Sequence, residues 1–207
     1  MRSHLFSTIL VVAIGLSVIG VGQAVEAPSS INPAAAKLSA KKQTKLGLYV
    51  TAKEAFDLYS TSKSDVLFVD VRTRAEVNFL GMPTLADANI PYMEMNEWYA
   101  WDEKKNEFKL EVNSNFADAI ASRLQQKGLG KNDQIVLMCR SGSRSAKAAN
   151  LLADLGYSKV YTIIDGYEGD KAKDGPTKGQ RTINGWRNAS LPWTYKLDKN
   201  KMYLSKN

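Results

Sequence analysis

From Leu48 onward, short unbroken apolar runs alternate with amphipathic stretches. Val66-Leu-Phe-Val69 and Gln134-Ile-Val-Leu-Met138 lack the polar alternation of a half-exposed strand, so each predicts a strand buried on both faces. Val160 to Ile164 predicts another, and Ala88 to Tyr92 a brief one. Helical periods lie between them. Thr51-Ala-Lys-Glu54 has capping-box spacing, and Ala55, Phe56, Leu58 and Tyr59 continue a helix behind it. A second helix is expected from about Arg74 to Leu80. A third carries Phe116, Ile120 and Leu124 between Asn113, its expected cap, and a stop at Gly128; a fourth carries Ala146, Ala149, Leu152 and Leu155 up to Gly156. Trp98 to Glu111 alternates aromatic and charged residues and predicts a hairpin or ordered excursion. Parallel neighbours need crossover helices, so the alternation predicts an α/β fold: an open, mainly parallel sheet flanked by helices on both faces.

The first residues follow a different pattern. Arg2 and His4 precede an apolar stretch from Ile9 to Val21, and Gly22-Gln23-Ala24 places small residues where a signal peptidase cuts. Residues 1–24 therefore read as a signal peptide, which predicts an exported, periplasmic protein. Left uncleaved, the run from Leu5 would be a short anchor holding the domain to the inner membrane, facing the periplasm; only then is a membrane expected as a partner. Residues 25–47, rich in Ala, Ser, Pro and Lys, are expected to form a flexible tether. The domain is expected over 48–195, with a C-terminal extension over 196–207.

Composition narrows the chemistry. The 207 residues are 44% hydrophobic and 24% charged, the balance of a globular domain rather than a disordered chain. The net charge of +7 comes from lysines scattered over the N-terminal segment, a loop near Lys171 and the C-terminus, not gathered with aromatic residues on one element. No nucleic-acid partner is expected. The chain has one histidine, His4, and one cysteine, Cys139. An intramolecular disulfide is excluded, and loss of the signal peptide would remove the sole imidazole, excluding Ser/His/Asp and Cys/His catalysis and histidine-ligated metals.

Cys139 stands where the Gln134–Met138 strand meets the helix that follows. Ligands of open parallel sheets sit beyond the carboxyl ends of the strands. A helix start there offers unbonded N–H groups and partial positive charge, and Arg140 and Arg144 add two permanent cations. These surroundings favour the thiolate, the form that attacks electrophilic sulfur or phosphorus. A lone cysteine after a strand is commonly inert core, but the polar, glycine-containing turn of Arg140, Ser141, Gly142, Ser143, Arg144 and Ser145 is not a sequence that packing alone selects.

Cys139-Arg-Ser-Gly-Ser-Arg144, preceded by its apolar strand and with Asp70-Val71-Arg72 upstream, resembles the active-site region of single-domain rhodaneses (sulfurtransferases). Asn184-Gly-Trp186 and Leu191-Pro-Trp193 are similar to the family's ending, so the resemblance runs from about Leu48 to Trp193; with the export signal it suggests a periplasmic member. It implies that Cys139 takes the outer sulfur of an anionic donor such as thiosulfate as a persulfide, expelling sulfite. Arg140 to Ser145 would bind the donor and the persulfide, and the sulfur would pass to cyanide, a thiol or a partner protein's cysteine, with no cofactor and no metal. It also implies that Asp70 and Arg72 support the loop or the Arg144 side chain, with Glu76 a lesser candidate. The common Gly-His-Ile segment is replaced here by Gly81-Met-Pro and the residues after it, and the excursions at 98–111 and 170–182 are expected to border the pocket and alter its substrate.

Two alternatives stand beside this reading. One is a phosphatase or arsenate reductase on the same fold, although those enzymes use a loop one residue longer than the six from Cys139 to Arg144. The other is a non-catalytic module that carries sulfur or binds anions.

Overall fold

A computed structural model describes residues 38–95 and 98–204; the expected signal peptide lies outside the described residues. Strand β1 (Tyr49–Val50) leads into helix α1 (Ala52–Thr61), and then β2 (Val66–Asp70) into α2 (Arg74–Leu80). Short strands β3 (Met82–Pro83) and β4 (Ala88–Asn89) follow, then the excursion strands β5 (Met93–Met95), β6 (Trp101–Asp102), β7 (Glu107–Phe108) and β8 (Leu110–Val112). The chain continues through α3 (Phe116–Gln126), β9 (Gln134–Met138), α4 (Ser143–Asp154) and β10 (Val160–Ile163) to β11 (Trp193–Thr194).

The main sheet runs β1-β10-β9-β2-β4, with every neighbouring pair parallel. β9 occupies the middle. The period of two along β2 and β9 divides the core between the faces. Leu67, Val69, Ile135, Leu137 and Cys139 pack with Phe116, Ile120 and Leu124 of α3 and Ala148, Ala149 and Leu152 of α4. Val66, Phe68, Val136 and Met138 pack with Ala55, Leu58 and Tyr59 of α1, Val77 of α2 and Trp186. Helices on both faces explain why these strands read as continuous apolar runs.

The helix starts obey local chemistry. Thr51 and Glu54 form the expected capping box on α1, and Thr73 and Glu76 a second on α2. Asn113 does not cap α3; its side-chain oxygen accepts from the Asn115 N–H in the preceding turn, and Asn115 takes the cap position. The excursion is a β6–β7 hairpin on a β5–β8 antiparallel base.

Two boundaries differ from expectation. Residues 38–47 do not all behave as a tether: a 3-10 turn at Ala40–Lys42 lies on α4, where the Asn150 side chain accepts from the Lys45 N–H (2.7 Å) and Lys45 pairs with Asp154. The C-terminal segment likewise belongs to the domain. Met202 bridges Asn89 in parallel, and the Tyr203 N–H donates to Asn89 O at 2.9 Å, covering the outer edge of β4. The C-terminal segment satisfies a backbone carbonyl that the edge of β4 would otherwise leave open. Among the described residues, no helix is long and apolar enough to cross a membrane.

Trp186 is fully buried against Phe56 and Phe68, and its indole N–H donates to Pro192 O at 2.9 Å. Trp186→Ala is expected to cost about 3–5 kcal/mol, measured as a lower urea midpoint; an unchanged midpoint would contradict this packing.

Candidate active site

Cys139 follows the last residue of β9, at the carboxyl end of the central strand. Its chain turns back through Arg140-Ser141-Gly142 and enters α4, whose N-cap is Gly142 at φ 96°. A side chain at this glycine would strike Ile164 O, so the loop lies flat on β10's exit only because no Cβ is present. The Gly142 N–H donates to Cys139 Sγ at 3.1 Å, and the Ser145 hydroxyl lies 3.5 Å from the sulfur and 3.1 Å from Gly142 O. Ser143, Arg144 and Ser145 form the first turn of α4, where N–H groups have no carbonyl one turn back. The helix thus brings its positive end to the sulfur.

The outward side of the loop is pinned. Cys139 O accepts from the Tyr167 N–H (2.9 Å), and Arg140 O from the Glu168 (3.0 Å) and Gly169 (3.3 Å) N–H groups. Gly166 makes this approach possible: at φ 65°, an added Cβ would sit 2.5 Å from Cys139 O and 2.6 Å from Ser141 N. Asp165 fixes the same turn by accepting from Ala52 N at the start of α1 and from Gly185 N.

Asp70 and Arg72 do not hold Arg144. They pair with each other, fully buried, with Arg72 Nη2 2.6 Å from Asp70 Oδ2 and 2.7 Å from Gly81 O. The reason is proximity, since both side chains leave one strand end two residues apart. Their link to the loop is indirect. The Arg72 guanidinium stacks 3.7 Å from the centroid of Tyr167, whose backbone N–H holds Cys139 O.

Glu76, the lesser candidate, takes the role instead. Its two carboxylate oxygens each accept from one Arg144 guanidinium nitrogen at 2.6 Å. Burial works against the Glu76 carboxylate, but the Arg144 hydrogen bonds and charge, the Thr73 N–H and Arg72 outweigh it and hold Glu76 at about 2. Burial also opposes the Arg144 charge, and Glu76 overcomes it, raising Arg144 above its ordinary value. Arg144 is therefore a neutralised support rather than a free cation for a donor. Arg140 is exposed and, among the described residues, forms no ion pair.

Lys42 was missed by sequence reasoning. Its ammonium, from the stretch read as tether, donates to Ile164 O (2.9 Å) and Asp170 (2.8 Å), and its Cδ backs Gly142 from below. A lysine in a lysine-rich stretch carries no local signal of such a partner.

Cys139 is 1% exposed but reaches the floor of an open cleft of about 600 Å³. Arg140, Ser141, Ser143 and Arg144 form one wall. Met93, Met95 and residues 107–111 form the other, so the first excursion borders the pocket as expected. Residues 170–182 are absent from its lining. None of the tryptophans lines it: Trp98 and Trp101 stand exposed on the excursion, Trp186 is core, and Trp193 closes over Gly81.

A sulfur at the end of a central parallel strand, encircled by a helix start, defines a thiol-centred α/β domain. A family model for the rhodanese-like domain matches residues 51–173, and the chain belongs to that family. It is 32% identical over 132 residues to "Uncharacterized protein RP600" of Rickettsia prowazekii, covering 64% of this chain and 85% of that one. It is 34% identical over 112 residues to "Thiosulfate sulfurtransferase 16, chloroplastic" of Arabidopsis thaliana, covering 54% and 78%. Among solved structures it resembles Rv0390 from M. tuberculosis, with a TM-score of 0.52, 25% identity and coverage of 72% and 97%.

Because Glu76 is held low in the folded protein, its contribution to stability is complete above its ordinary value of 4.5 and is lost as pH falls from there towards about 2. Glu76→Gln is expected to lower stability at neutral pH by about 2 kcal/mol, after allowing for the pair's partial solvent access. That deficit should narrow as unfolding is measured at falling pH; a constant one would place the pair elsewhere.

Proposed function

We propose that this protein is an exported sulfurtransferase that moves sulfane sulfur from a small anionic donor such as thiosulfate to a nucleophilic acceptor through a Cys139 persulfide. The observation that carries this reading is the position of Cys139 Sγ, 3.1 Å from the Gly142 N–H at the unbonded start of α4 and open to the cleft. The thiolate attacks the donor's outer sulfur. A new S–S bond forms at Sγ, the donor's S–S bond breaks, and its electron pair leaves with sulfite. The persulfide's negative charge then lies where Gly142, Ser143, Arg144 and Ser145 present N–H groups, as amides stabilise an oxyanion. Neither step needs a proton donor or base, consistent with a cleft that has no histidine among its described lining residues.

Arg140, exposed and without an ion pair, is placed to draw the anionic donor into the cleft. The short loop supports sulfur over phosphorus: six residues from Cys139 to Arg144 make a tighter ring than a tetrahedral oxyanion requires. Membership of the rhodanese-like family and the likeness to the plant protein named a thiosulfate sulfurtransferase support the same chemistry. The apolar segment Ile9 to Val21, preceded by Arg2, supports export to the periplasm.

Intact-mass measurement before and after thiosulfate is expected to show a gain of one sulfur atom, lost on adding cyanide and absent in Cys139→Ser. Turnover of an aryl phosphate or arsenate without that gain would overturn the assignment. Arg140→Ala is expected to raise the KM for thiosulfate about tenfold, the loss of one charge-assisted contact, with a smaller effect on kcat. An unchanged KM would remove Arg140 from donor binding.

A further inference from the structure

The cleft is much larger than the donor chemistry needs. A thiosulfate ion fills only a corner of about 600 Å³, and a fully polar anion gains nothing from an apolar wall. Yet the wall facing the active loop sets apolar side chains among charged ones: Met93 and Met95 from β5, Phe108 from β7 and Leu110 from β8 line the space in which a persulfide on Cys139 would end, beside Glu107, Lys109 and Glu111. Phe108 is braced edge-on by Trp101, with centroids 5.2 Å apart at 86°, and by Tyr99 at 6.2 Å. Such bracing holds the ring face in place although the residue is 48% exposed.

The charges of the cleft are also asymmetric. Its five cations outnumber its four acids by one: Arg144 matches Glu76, while Lys105 alone faces both Asp102 and Glu107. Lys109, Arg140 and Lys147 also line it, and none of them forms an ion pair among the described residues; Glu111 is the one remaining acid of the lining. Transfer out of the enzyme brings a thiolate up to an already anionic persulfide, and surplus positive charge at the mouth lowers that repulsion.

We infer that the acceptor is an organic thiol with an apolar body and a second anionic group, its body laid on Met93, Met95, Phe108 and Leu110 and its anion met by Arg140 and Lys147. This rests on the sulfurtransferase reading and names the acceptor class for the same site. The acceptor's thiol ionises to solvent, and its sulfur attacks the outer sulfur of the Cys139 persulfide. The new S–S bond forms on the acceptor, and the bond to Sγ breaks with its electron pair returning to Cys139 as thiolate. The product is the acceptor's persulfide, with no net oxidation or reduction.

The test charges the full-length protein with thiosulfate, removes the donor, and follows discharge of the persulfide by intact mass. Four primary thiols serve as probes, with rates corrected to each thiol's ionised fraction: 4-(mercaptomethyl)benzoate has both features, benzyl mercaptan the ring alone, 3-mercaptopropanoate the anion alone and 2-mercaptoethanol neither. Cyanide is the reference nucleophile. 4-(Mercaptomethyl)benzoate is expected to discharge wild-type protein at least about tenfold faster than 2-mercaptoethanol, as burial of an aromatic ring allows, with the other two between. Phe108→Ser should collapse the advantage of the ring, and Lys147→Glu that of the anion, each read as a ratio to the cyanide rate. Equal rates for all four thiols on wild-type protein would overturn the acceptor assignment alone. Failure of thiosulfate to place sulfur on Cys139 would overturn the sulfurtransferase reading and this inference with it.

Discussion

The loop after β9 is held by its carbonyl side, and that leaves its amide side for chemistry. Cys139 O and Arg140 O are both taken by N–H groups of the segment from Tyr167 to Gly169, while the Gly142 N–H turns to the sulfur. Most of the site can be traced to this division. Gly166 must lack a side chain so that the two backbones can touch, and Asp165 must hold the turn from α1 and Gly185 so that they remain in register. Tyr167 is kept in place from the other side by the buried Asp70–Arg72 pair, whose guanidinium stacks on its ring. The arrangement fixes an anion-stabilising pocket before any anion arrives, so no reorganisation is needed when charge appears.

Charge is distributed with the same economy. Of the two arginines in the loop, one is tied to Glu76 and the other is left open. The tied residue gives rigidity, because a bidentate guanidinium–carboxylate pair fixes both distance and plane. The open one leaves its positive charge at the cleft. Glu76 also closes the capping box of α2, so one carboxylate joins the start of a helix on one sheet face to the start of α4 on the other. The excursion adds a separate layer to the cleft, lined by Met93, Met95, Phe108 and Leu110.

Much of this was legible in the sequence wherever the signal was local. Val66 to Val69 and Gln134 to Met138 show their burial because nothing polar interrupts them, and the capping box at Thr51 and Glu54 follows from spacing alone. Cys139-Arg-Ser-Gly-Ser-Arg144 was readable because a turn of that composition has no packing reason to follow a core strand. The unreadable features were choices among distant partners. Asp70 and, as the lesser candidate, Glu76 were both expected near Arg144, and only the placement of α2 against α4 selects Glu76. Lys42 and Met202 lie in charged or irregular stretches, and their roles arise from where the segments flanking the sheet pass against it. Leu155, counted in the apolar stripe of α4, is exposed because the helix ends at Asp154 and the chain turns away at Gly156.

The central claim is that a sulfur atom bonded to Cys139 is held by the amides that open α4. A crystal structure of thiosulfate-treated protein tests it directly. One additional atom should be joined covalently to Sγ, pointing into the cleft and within hydrogen-bonding distance of N–H groups among Gly142 to Ser145. An unmodified thiol beneath an intact, non-covalently bound oxyanion, or an added sulfur turned away from those amides, would contradict the account.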